Sequence, residues 1–121
     1  MKTTLLLLLL LVSQISYAKY TQTCVVGYET ESGWSKQYNV EVTFLSGSEL
    51  NDATGSWKYS AFSNYAVIFW AQGEASVIKI STFLGCSTTL DKSCVTSTFS
   101  DIKGEDQDGD KWKICVSDFC F

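Results

Sequence analysis

The sequence predicts an all-β fold: a small antiparallel barrel or sandwich of about six to seven strands, with at most one short helical turn. Three observations carry this. Tyr38-Asn39-Val40-Glu41-Val42-Thr43-Phe44 alternates strictly, with Tyr38, Val40, Val42 and Phe44 on one face. Tyr65 to Ala71 is apolar on both faces, the mark of a central strand covered on both sides. Gly-containing turn signals stand at Gln72-Gly73 and Asp108-Gly109, with strand-like segments around them. The expected core is Val40, Val42, Phe44, Val67, Ile68, Phe69, Ile78, Ile80, Trp112 and Ile114.

The elements follow in order. Gln22 to Glu29 reads as a first strand, and Gly33-Trp34-Ser35 as a turn before the alternating strand. Ser46-Gly47-Ser48-Glu49 has the spacing of a capping box and predicts a single helical turn through Leu50-Asn51-Asp52-Ala53, ending before Gly55. Trp57-Lys58-Tyr59 reads as a short edge strand. The hairpin Tyr65–Ile80 turns at Gln72-Gly73, a register that sets Trp70 against Ala75 and Val67 against Ile78. The last hairpin turns at Asp108-Gly109, with Asp106 opposite Lys111. Its return strand points Trp112, Ile114 and Val116 inward, and Lys111, Lys113 and Cys115 outward.

Residues 1–18 read as an address. Met1-Lys2 opens with a positive charge, Leu5 to Val12 is unbroken apolar sequence with seven leucines, and Ser16 and Ala18 are small. The expected reading is a cleaved signal peptide over 1–18, cut at Ala18|Lys19, with 19–121 a single exported all-β domain. The apolar run is shorter than the ~20 residues that span a bilayer, so no stable membrane insertion is expected after cleavage. The expected location is periplasmic or extracellular.

Composition closes several mechanisms. The chain has nine basic residues, all Lys, against thirteen acids, for a net charge of −4, and loss of Lys2 makes the domain more negative. Such a surface repels phosphate backbones, so nucleic acid is not an expected partner. There is no His, no Arg and no Pro. Without His there is no Ser-His-Asp or Cys-His machinery and no His metal ligand, and without Arg no bidentate anion clamp. What remains open to an enzyme is acid–base work by paired carboxylates, with Glu41 and Glu49, or Asp52 and Glu74, as candidates.

Export puts the five cysteines in an oxidising compartment. Cys86 and Cys94 flank a polar, turn-like stretch and form the first expected bridge. Cys115 and Cys120 form the second, as the pair beyond a turn at Ser117-Asp118. Cys24 is then left over, which gives a monomer, or a dimer through Cys24. A bridge from Cys24 to Cys115 or Cys120 stays open as an alternative; it would close the longest loop. The spacings are not those of zinc knuckles, and no cofactor or metal is expected.

Asp106-Gln107-Asp108-Gly109-Asp110 presents acids at alternate positions, as calcium loops do. Its Gly precedes Asp110, and Ser117 stands where a bidentate carboxylate is needed, so the segment reads as a polar hairpin tip. Trp57 to Tyr65 interleaves aromatic and polar residues outside the strongest hairpin. With Trp34, the residues Trp57, Tyr59 and Phe62 are the candidate contact surface for a protein or a glycan. Phe69-Trp70-Ala71-Gln72-Gly73-Glu74-Ala75 resembles, over those seven residues, a hairpin of the membrane-bound and periplasmic C-type lysozyme inhibitors. Ala53-Thr54-Gly55 departs from their loop pattern, and Gln72 stands where a Lys is expected. The resemblance implies a class of function and no membership. The expected function is therefore an exported, non-enzymatic binding module, with inhibition of a basic cell-wall hydrolase as its sharpest form. The alternative is a carboxylate-dependent enzyme acting on glycans.

Overall fold

The structure, a computed structural model, describes residues 20–82, 84, 90–96 and 101–116. The expected leader and its cleavage point lie outside the described residues. So do Cys86 and Cys120, and with them both expected bridges. Among the described residues no helix is long and apolar enough to cross a membrane.

The described chain is a closed antiparallel barrel of six strands with one extra strand at its edge. The strands are β1 (Tyr20–Thr30), β2 (Gly33–Trp34), β3 (Tyr38–Ser46), β4 (Asn64–Phe69), β5 (Ala75–Ile80), β6 (Ile102–Glu105) and β7 (Lys111–Cys115). Each pairs antiparallel with its neighbour, in the order β2-β1-β3-β4-β5-β6-β7, and β7 returns to β1 to close the ring. The long β1 divides its length among three partners. Tyr20–Val26 pairs with β3, Val25–Tyr28 with β7, and Glu29–Thr30 with β2. Closure removes the unpaired edges that an open sheet must protect.

Alternation fills the interior. Val26, Val42, Phe44, Ala66, Ile68, Ile78, Ile102 and Ile114 are wholly buried there, each larger side chain contributing roughly 1.5–3 kcal/mol by leaving water. Leu84, Leu90 and Val95 join this cluster from the connection between β5 and β6. They stop the end of the barrel at which β1 begins and β7 finishes. Of the expected core, Val40 and Phe69 are only half-buried.

The two-sided burial expected of Tyr65–Ala71 holds within β4, which ends at Phe69, and not at Ala71, which is exposed in the turn; its cause is direct. Tyr65, Val67 and Phe69 point out of the barrel and pack with Leu45, Ala75 and Val77 under α1 (Gly47–Thr54), which supplies Leu50 and Ala53. The capping box forms as expected: Ser46 Oγ accepts from Glu49 N at 3.1 Å, and Ser46 N donates to Glu49 Oε1 at 2.8 Å. Gly55 ends the helix at φ +64°. The helix has eight residues, two turns where one was expected, and a second short helix, α2 (Lys92–Thr96), had no forecast in the sequence.

Five local expectations are corrected. The first turn is at Glu31-Ser32, and Gly33–Trp34 is strand β2, because Thr30 pairs with Gly33. Trp57–Tyr59 forms no strand. The hairpin register at Gln72-Gly73 is one residue off: Phe69, not Trp70, faces Ala75, and Val67 faces Val77. The same shift recurs at the last hairpin, where Glu105, not Asp106, faces Lys111. In both, the loop has three residues with Gly third in the left-handed region, at φ +77° for Gly73 and +86° for Gly109. Cys115, expected to face outward, is buried.

Candidate binding surfaces

The sequence-predicted contact residues fall into three situations. Trp57 is 95% exposed and Phe62 100%, both on the connection between α1 and β4. That connection is not slack. The Asn51 side chain spans it, Nδ2 donating to Tyr59 O at 2.8 Å and Oδ1 accepting from Tyr59 N at 3.0 Å. Ser60 N donates to the Tyr65 hydroxyl, and Gly47 N to Ser63 O. Gly47 is required at that crossing, since a Cβ there would stand 1.7 Å from Ser60 O. The loop is therefore pinned to α1 and β4 while Trp57 and Phe62 face solvent.

Tyr59 stands differently from its two neighbours in the loop. It is half-buried in the outer cluster, edge-on to Tyr65 with ring centroids 5.4 Å apart. Burial first, and the neighbouring Tyr65 second, push its phenol up from the ordinary value. It supports the loop that displays Trp57. Trp34 stands elsewhere, on β2, with the Lys113 ammonium 5.0 Å above its ring. It lines a cleft of about 680 Å³ along β6 and β7, whereas Trp57 lines a groove of about 360 Å³ with Ser48, Asn51 and Asp52.

Asp52 and Glu74 are not brought together, and Glu41 lies exposed on β3. Glu49 is bound into the helix cap. Asp52 lines the groove beside Trp57, while Glu74 lines a separate cavity.

That separate cavity, about 520 Å³, is the feature the sequence reading missed. It lies at the barrel mouth, the end carrying the β4–β5 and β6–β7 turns, opposite the end stopped by Leu84, Leu90 and Val95. Tyr28, Trp112, Trp70 and Tyr38 form a continuous aromatic wall. Successive centroids are 5.2, 6.0 and 5.6 Å apart. Both indole N–H groups are spent inside the protein: Trp70 Nε1 donates to Ser76 Oγ and Trp112 Nε1 to Asp106 Oδ2, each at 2.9 Å. These bonds fix the ring planes. No family model, curated protein or solved structure matches the chain.

Asp106 also explains the apparent calcium loop. Its buried carboxylate accepts from Asp108 N and Asp110 N through Oδ1, both at 2.9 Å, besides the indole. Oxygens of Asp106, Asp108 and Asp110 lie within 4.8 Å of one another. The contacts of the buried member are those of a turn organiser. Beside it, Gln107 reaches across the seam to β5, Nε2 donating to Ala75 O and Oε1 accepting from Val77 N. It thereby replaces backbone pairing that β6 does not reach.

The mouth had a sequence signal. Tyr28, Tyr38, Trp70 and Trp112 each sit near a turn, and an up-and-down barrel gathers alternate turns at one end.

Proposed function

We propose that the protein is an exported, non-enzymatic binding module, acting in the periplasm or outside the cell, that engages a protein partner through Trp57 and Phe62. The single observation behind this is the near-complete exposure of two large aromatics on a loop pinned by hydrogen bonds. A pinned loop loses little freedom on binding, so burial of these rings is available as affinity, about 1.5–3 kcal/mol for each ring fully covered. Asp52, beside Trp57, and the net charge of −4 favour a basic partner, and a basic cell-wall hydrolase fits that description. The same charge disfavours nucleic acid.

The test is capture from a cell-envelope extract by the oxidised domain, with affinities measured for whatever is retained and a glycan array in parallel. Trp57→Ala and Phe62→Ala are each expected to weaken the captured protein at least tenfold without lowering thermal stability. Unchanged affinity in both variants overturns the assignment. A glycan-acting enzyme is the second reading, because Glu74 and Asp110 share the mouth cavity. Release of reducing ends from cell-wall glycan, abolished by Glu74→Gln, would establish it in place of the binding module.

A further inference from the structure

We infer that the cavity at the barrel mouth is a binding site for a methylated ammonium group, independent of the Trp57–Phe62 loop. Four rings, Tyr28, Trp112, Trp70 and Tyr38, wall it, and aromatic faces attract cations through their quadrupoles. The carboxylates of Glu74, Asp110 and the buried Asp106 stand in the same lining, and among the described residues no lysine does. The cavity is therefore both π-rich and negative.

Charge separates this ligand from a neutral sugar, which gains no counter-charge from the carboxylates of the lining. A sugar's hydroxyls need donors as well as acceptors in the wall. Here both indole donors are already committed to Ser76 and Asp106, which leaves the hydroxyls of Tyr28, Tyr38 and Ser76 as the side-chain donors of the lining. The carboxylates only accept. A quaternary ammonium needs no donor at all, only electron-rich faces and a counter-charge. The committed indoles are also what holds the faces in place before a ligand arrives. The Tyr38 ring already shows the preference: the Lys36 ammonium lies 5.3 Å from its centroid, just outside the cavity lining.

Binding is read by indole fluorescence and calorimetry on the purified, oxidised protein. Choline is compared with 3,3-dimethylbutan-1-ol, its neutral isostere, and a trimethyl-lysine peptide with its unmethylated form. Choline is expected to bind at least tenfold tighter than the isostere. Glu74→Gln should weaken choline several-fold, Lys36→Met should tighten it, and Trp57→Ala should leave it unchanged. Preference for the peptide over choline assigns the ammonium to a protein side chain, and the reverse to a small molecule. Equal binding of choline and its isostere overturns the inference, as does the absence of binding by both cations. So does a chitin oligosaccharide that binds where choline does not. Loss of choline binding in Trp57→Ala would show that the two sites are not independent.

Discussion

Cys24 is a free thiol held 2% exposed in the middle of β1, its Sγ donating to Gln22 O at 3.7 Å. It forms no bridge to Cys115, so that alternative pairing does not occur in the described structure. Cys94 and Cys115 are not free. A thiol this covered reaches a second chain only if the sheet opens. Burial also pushes the thiol up from its ordinary value near 9.0 to about 12. The sign of the pH dependence follows. Below pH 9 the thiol is protonated in both states and its contribution is complete. Between about 9 and about 12 the unfolded chain releases a proton that the folded chain keeps, so stability falls as pH rises. Urea unfolding of the wild type and Cys24→Ala at pH 8 and pH 11 checks this. The wild type should lose stability relative to the variant across that interval, and a constant difference would contradict the burial argument.

Hairpin register shows what local sequence can and cannot determine. Gln72-Gly73 and Asp108-Gly109 lie in turns as the sequence predicts, yet both registers differ by one residue from the expected ones for the same physical reason. A two-residue loop and a three-residue loop with a left-handed third position both ask for Gly, and the residue type alone does not say which position it fills. The structure decides through Trp70 N to Glu74 O and Asp106 N to Asp110 O, which close three-residue loops. Because side chains alternate, a slip of one residue exchanges inside for outside. That slip explains why Trp70 was placed within the strand pair rather than at the mouth. The alternating β3, the capping box and the two-sided burial of β4 were legible because each depends on residues close in sequence. The half-burial of Tyr59 was not, since it depends on packing with Tyr65. Gly109→Ala should destabilise the protein by about 1 kcal/mol, and Gly109→Asn by less, since Asn tolerates the left-handed region. Equal effects in a denaturation series would mean that φ is not what the position requires.

At the scale of the molecule, the barrel separates two surfaces. The pinned loop with Trp57 and Phe62 lies on the connection from α1 into the start of β4. The aromatic mouth lies at the opposite ends of the strands, where β4 and β6 finish. Their separation makes the two proposals testable one at a time. The closure that creates the mouth also has a temporal meaning. Val25 pairs with Cys115 and Tyr28 with Trp112, partners about ninety residues apart. A chain emerging from its N-terminus can zip β1 to β3 early, but the other side of β1 waits for β7 to appear. Until then Cys24 has only half its shelter. Pulse alkylation of chains truncated after Glu105 should label Cys24 rapidly, while the full chain resists once folded; equal protection would place thiol burial before barrel closure. The thiol thus works as a clock on assembly. Its alkylation rate reads how early β7 docks on β1.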